Sequence, residues 1–158
     1  MDDAVFRKVL EKLLRGGQAF APAKRILADM KRELRAARPA AELHTVWELL
    51  EHLRIAQEDI LRYTLDPSWR SPEFPAGYWP ASAERVSDEQ WTGSVASFLG
   101  GMEEACALAR DASRDLTSAI PHGEGRTYLR QILLIADHNA YHLGQIVDAR
   151  KALRDWRD

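Results

Sequence analysis

The stretch RTYLRQILLIADHNAYHLGQIVDARKALRDW, residues 126–156, decides the fold. Its apolar residues recur every three to four positions, which is the period of an amphipathic helix. We therefore predict one helix from about Thr127 to about Leu153. A helix of this length with one apolar side needs other helices to cover that side.

Three further stretches upstream have the same periodicity and are predicted to be long helices, over about residues 3–15, 45–63 and 87–117. Gly16-Gly17 ends the first, and Asp66-Pro67 ends the second, because a residue before proline avoids helical dihedrals. Ser87 and Gln90 form a capping-box pattern at the start of the third. A shorter amphipathic stretch lies at about 21–35. No segment alternates like a strand, so we predict an all-α, four-helix bundle that occupies residues 1–158 as one domain.

Composition excludes several classes of protein. The 158 residues include 22 basic and 24 acidic side chains in a mixed order, so no basic stripe indicates nucleic acid as a partner. No apolar run approaches the roughly 20 residues that a membrane span needs, and the N-terminus lacks an apolar signal core. Cys106 is alone and is interpreted as a small core residue. We expect a cytoplasmic protein that does not enter the membrane.

Residues 66–88 differ from the helices around them. They hold four of the seven prolines and several aromatic residues, including Tyr78 and Trp79. A connection of this length with its own aromatics is predicted to form a lid or wall of a pocket, or else a plug at the end of the bundle. The plug alternative involves Trp69, Phe74 and Trp79; we favour it for Trp69, and we favour the pocket for Tyr78 and Trp79.

Three histidines form a candidate metal site. His138 and His142 are four residues apart and lie within about 40° of each other on one helix face, so two imidazoles can bind one ion. His52 lies on the edge of the apolar stripe of the second long helix and can supply a third ligand. Gln145 lies near the pair on the helical wheel and is a candidate for the pocket wall.

Carboxylates flank His52 on the same helix. Glu48 and Asp59 are predicted either to hydrogen-bond a ligand histidine or to act as a base on bound water. His44 is interpreted as a capping or surface residue, and His122 as a solvated turn residue. Buried histidines that merely satisfy local hydrogen bonds are the alternative to a metal site.

The chain resembles the DinB/YfiT-like superfamily in DHNAYHLGQIV (residues 137–147), in WELLEHLRIAQEDIL (residues 47–61) and in the aromatic loop SPEFPAGYWP (residues 71–80). The resemblance implies a four-helix bundle with a long crossover loop and a divalent ion, zinc or nickel, on the three histidines. It also implies a homodimer, for which the 21–35 stretch and an exposed edge at Trp47 are candidate surfaces. Some relatives are transferases or isomerases that use low-molecular-weight thiols such as bacillithiol or mycothiol.

The leading hypothesis is a metal-dependent thiol S-transferase or related transferase acting on a small molecule. Three neutral imidazoles leave the full charge of the ion on the site, which favours the deprotonation of a thiol or water. A metal-dependent hydrolase needs the same residues, and so does a metal-binding or small-molecule-binding protein without turnover. These alternatives stay open at the level of the sequence.

Overall fold

The computed structural model describes residues 3–156, and its regular structure is helical throughout. Four long helices are α1 (Asp3–Arg15), α3 (Val46–Leu65), α4 (Asp88–Arg110) and α5 (Tyr128–Ala152). A short helix, α2 (Ala23–Leu27), and two 3-10 turns (Arg32–Leu34 and Ala76–Tyr78) lie in the connections. The predicted all-α fold is confirmed. Within the described part of the chain, no helix has the length and apolar content needed to cross a membrane.

The long helices begin where short polar side chains can satisfy their first backbone N–H groups. Ser87 and Gln90 form the predicted capping box at α4. Thr45 and Glu48 form a second capping box at α3, and Thr127 accepts a hydrogen bond from the backbone N–H of Arg130 at α5. Local sequence therefore fixes the starts of these three helices.

Helix α3 packs against α4 and α5, and α1 packs against the same two helices. Gln57 of α3 donates a hydrogen bond to the carbonyl of Phe98 of α4, and Arg62 forms an ion pair with Glu104 further along both helices. These two contacts advance in the same direction along the two helices, so α3 and α4 run parallel.

Because α3 and α4 are parallel, the chain must return along the bundle between them. A helix of about 20 residues is roughly 30 Å long. The segment at 66–87 has enough residues for that distance, since an extended chain covers up to about 3.5 Å per residue. The predicted crossover loop thus follows from helix direction, and it brings loop residues past the middle of α3.

The core has two clusters of apolar side chains. One includes Leu50, Leu53 and Ile146, and the other includes Leu61 and Ile132. Between them along α3 and α5, Asn139 donates to the side-chain oxygen of Gln57 at 2.8 Å, and both residues are 2% exposed. This buried amide pair sets the register of α3 against α5, on which the relative position of the histidines depends.

Two predictions about the fold are wrong in detail, and the amphipathic stretch at 21–35 is less regular than its pattern suggested. Helix α4 ends at Arg110 and not near Thr117, because the side chains of Asp111 and Asp115 accept hydrogen bonds from backbone N–H groups two residues on. Arg7 of α1 then binds the carbonyls of Ala109, Asp111 and Arg114 at this end. The aspartate side chains that end the helix by accepting hydrogen bonds from nearby backbone N–H groups are local, but Arg7, which stabilises this end, lies far away in the sequence.

The stretch at 21–35 is not one amphipathic helix. It is broken at Asp29, whose φ is 53°, and the carbonyls of Ile26 and Ala28 accept hydrogen bonds from the buried Arg150 of α5. These tertiary hydrogen bonds replace helical ones.

Trp47 is 7% exposed and belongs to the core, so the exposed edge expected there does not exist. Its backbone N–H donates to the carbonyl of Arg35, whose segment covers this side of α3. Cys106 is fully buried, as predicted, and burial raises the pKa of its thiol.

Candidate metal centre

Helices α3 and α5 bring His52, His138 and His142 to one point. The Nε2 atom of His52 lies 3.1 Å from that of His138 and 3.2 Å from that of His142. A tetrahedral zinc ion bound at about 2.0–2.1 Å would hold its nitrogen ligands roughly 3.3 Å apart. His52 and His142 are 9% and 8% exposed. The three-histidine cluster could hold a metal ion.

The other ring nitrogens show which atoms are available to an ion. His52 Nδ1 donates to the carbonyl of Tyr78 at 2.8 Å, and His142 Nδ1 donates to Oε1 of Gln145 at 2.7 Å. A neutral imidazole that donates through Nδ1 has a lone pair on Nε2. Two lone pairs thus face each other at 3.2 Å, an arrangement that repels unless a cation lies between them. The donor chemistry fits a bound divalent ion.

Burial lowers the pKa of each imidazole in the cluster. The effect is largest at His138, whose pKa falls to about 4, chiefly through burial and then through its two neighbours His142 and His52. Neutral imidazole is the form that binds metal. The cluster is therefore ready to bind a cation near neutral pH.

The crossover loop holds His52 in place. The indole of Trp79 stacks on its ring, with centroids 4.0 Å apart and planes inclined by 3°. Asp59 accepts hydrogen bonds from the Tyr78 hydroxyl at 2.7 Å and from the Trp69 indole at 2.8 Å, and so ties two points of the loop to α3. The Tyr78 carbonyl that fixes His52 is thereby itself held.

Other residues of this loop lie elsewhere. Phe74, which the plug alternative included, is 84% exposed and plugs nothing. Burial, followed by the hydrogen bond and charge of Asp59, raises the pKa of Tyr78 to about 12. The Tyr78 hydroxyl therefore stays protonated and remains a donor to Asp59.

The two candidate carboxylates have other partners. Glu48 accepts from the backbone N–H of Thr45 and pairs with Arg38 and His44, while both oxygens of Asp59 are taken by Tyr78 and Trp69. Across residues 3–156, no carboxylate hydrogen-bonds a histidine of the cluster. The pattern Thr45-x-x-Glu48 is a capping box, which sequence reasoning missed although the signal was present.

The remaining two histidines make contacts that the sequence did not predict. His44 is exposed, as predicted, and its ring also stacks on the face of Trp79 opposite His52, at 4.0 Å. His122 lies in the predicted turn and is half-buried, and its Nε2 donates to the carbonyl of Tyr63 at 2.7 Å. His44 therefore belongs to the surroundings of the site, whereas His122 supports the C-terminal end of α3.

The sequence matches the model of the DinB superfamily over residues 19–146. The chain belongs to the DinB superfamily. The matched range contains all three histidines of the cluster and the crossover loop that holds His52. Comparisons of this DinB-superfamily chain with curated proteins and with solved structures found no match.

Proposed function

We propose that this DinB-superfamily chain is a metal-dependent enzyme, a thiol S-transferase or a related transferase, with zinc or nickel on His52, His138 and His142. The observation that carries the proposal is the convergence of three Nε2 atoms while Nδ1 of His52 and of His142 is engaged elsewhere. Orientation of ligand imidazoles by a second hydrogen bond is the usual design of protein metal sites.

Each neighbouring residue has a defined task in this proposal. Tyr78 and Gln145 hold two imidazoles in the tautomer that presents Nε2, and Trp79 covers the face of His52. Tyr141 lies edge-on to His142 and is 65% exposed, so the solvent side of the cluster is partly aromatic. When bound, a divalent ion on three neutral ligands supplies a Lewis acid that lowers the pKa of a thiol or water.

The contacts favour transfer from a thiol over hydrolysis. The pKa of a thiol is about 8.5 and that of water is far higher, so a thiol needs less help to lose its proton. Hydrolases commonly place a carboxylate base beside the nucleophilic water. Glu48 and Asp59 are the nearest candidates on α3, and the carboxylate oxygens of both accept hydrogen bonds from other residues. A metal-dependent hydrolase and a metal-binding or small-molecule-binding protein without turnover are the alternatives.

The test is a panel of small electrophiles combined with several low-molecular-weight thiols, assayed with zinc-loaded and nickel-loaded protein. Thiol-dependent consumption of an electrophile, absent in His142→Ala, supports the transferase. Consumption that needs water but no thiol supports the hydrolase. Stoichiometric metal without turnover of any electrophile supports a binding protein and contradicts the proposal.

We also propose a cytoplasmic homodimer as the working form. Exposed apolar residues on α1, Val5, Val9 and Leu13, follow one another at intervals of four and offer a surface for it. Light scattering at micromolar concentration tests the dimer, and a monomeric mass contradicts it.

A further inference from the structure

A cavity of about 340 Å³ opens between α3 and α5, one helical turn from the three histidines. Leu49 lies three residues before His52 and Gln145 lies three residues after His142, and both line it. Three residues of helix rise about 4.5 Å. We name this cavity the acidic groove; its lining residues are Pro39, Glu42, Leu43, His44, Leu49, Gln145, Asp148 and Ala149.

Two residues that line the acidic groove also contact residues of the metal centre. Gln145 accepts the hydrogen bond from His142 Nδ1. His44 stacks on Trp79, which in turn stacks on His52. A molecule lying in the groove therefore contacts Gln145, which orients His142, and His44, which packs on the indole that covers His52.

The charges of the groove are of one sign. Glu42 and Asp148 are exposed, and within the described residues neither forms an ion pair. The nearby cation Arg38 is taken by Glu48 at 2.8 Å and by the carbonyl of Leu43. The floor is apolar, with Leu49 and Ala149 buried. An apolar floor with two unpaired carboxylates fits a molecule that has an apolar body and a cationic end.

We propose that the acidic groove binds the ammonium end of an amine-bearing substrate or thiol, so that its other end reaches the three histidines. This inference rests on the proposed function and gives it a substrate class. The proposal also argues against thiols that carry carboxylates of their own. Glu42 and Asp148 would repel those carboxylates, and no arginine is among the described residues that line the groove.

The test uses three probes of matched size and different charge: phenylbutylamine, phenylbutanol and phenylbutyrate. Dissociation constants are measured by calorimetry on zinc-loaded protein, and the bound position is mapped from backbone amide shifts in two-dimensional NMR. We expect the amine to bind most tightly and the carboxylate most weakly, with shifts at residues 42–44 and 145–149. Equal affinities, or a preference for the carboxylate, would overturn the proposal.

Charge-neutral variants locate the effect. Asp148→Asn and Glu42→Gln should each weaken the amine about two- to fivefold, as expected for one partly exposed charge pair, and leave the alcohol unchanged. The control is Asp137→Asn. Asp137 is exposed and lies on nearly the same line of α5, three turns away and outside the groove. An equal loss in Asp137→Asn would mean that general electrostatic attraction, and not the groove, binds the amine.

The same titrations on metal-free protein separate this inference from the proposed function. If the amine preference persists without metal but no thiol-dependent turnover is found, the groove stands and the transferase proposal fails. If thiol-dependent turnover is found but the three probes bind alike, the enzyme stands and the groove proposal fails.

Discussion

The bundle has two irregular connections that each involve a histidine, and they use it in opposite ways. In the crossover loop at 66–87, a backbone carbonyl of the loop accepts a hydrogen bond from His52 of α3. In the connection at 111–127, His122 of the loop donates to a backbone carbonyl of α3. The first arrangement fixes an imidazole and directs its second nitrogen to a cluster, whereas the second uses an imidazole to support a helix end.

The role of each histidine thus depends on which groups its two ring nitrogens contact. His52 projects from a helix whose neighbour carries two more histidines, so its Nε2 meets two others within 3.2 Å. The Nε2 atom of His122 is already taken at 2.7 Å, and the ring lies edge-on to Tyr63. Four substitutions or treatments test this difference, and they follow in order of decreasing expected effect.

Loss of a cluster histidine should have the largest effect. We expect His142→Ala to abolish stoichiometric metal binding, because two imidazoles cannot replace the three-ligand site. His122→Ala should keep full metal content and lose about 1 kcal/mol of the free energy of unfolding, the value of one hydrogen bond. Elemental analysis and denaturant titration measure the two quantities. Full metal content in His142→Ala would refute the assignment of the site.

Loosening the loop that holds His52 should have an intermediate effect. Asp59→Asn removes one of two acceptors for Tyr78 and Trp69, and we expect metal affinity to fall roughly tenfold or more, as for other partners of ligand residues. Competition with a chromophoric chelator measures the dissociation constant. Tyr63→Phe is the matched control, since it removes the hydrogen bond from Arg126 in the other connection. If both variants bind metal as the native chain does, Asp59 has no positioning role.

Removal of the indole beside the cluster should have a smaller effect. Trp79→Ala deletes a partly buried aromatic wall, and we expect thiol or electrophile binding to weaken by about 1 kcal/mol with metal content unchanged. Phe74→Ala in the same loop is the control, because that ring is 84% exposed. A similar loss in both variants would show that the loop, and not the indole, matters.

Removal of the metal should change the fold least. The two apolar clusters of the core do not include the three histidines, so we expect chelation to leave the far-UV circular dichroism unchanged. The melting temperature should still fall, because the ion binds the folded state and stabilises it by mass action. Loss of the helical signal on chelation would mean that the metal is structural.

Local sequence was sufficient for the helices that carry the site. The starts of α3, α4 and α5 lie within one residue of the expected positions, because capping and periodicity act over a few residues. The spacing of His138 and His142 also fixed their common face. The resemblance to a known family then implied His52 as the third member, which spacing alone could only offer as a candidate.

Tertiary structure decided how the surrounding residues are used. Glu48 and Asp59 flank His52 on the helical wheel, yet Arg38 and Thr45 engage the first, and Tyr78 and Trp69 engage the second. Which partner a carboxylate finds depends on where distant segments pass.

The sequence by itself thus determined the helical class, the start of each long helix of the site and the three imidazoles that share it. Only the folded chain decided that Trp47 is buried, that α4 ends early and that a loop carbonyl and an amide oxygen orient two imidazoles of the cluster. The physical reason is range. Periodicity and capping depend on neighbours along the chain, whereas a backbone carbonyl has no signature in the sequence and meets His52 only because parallel α3 and α4 force the loop past it.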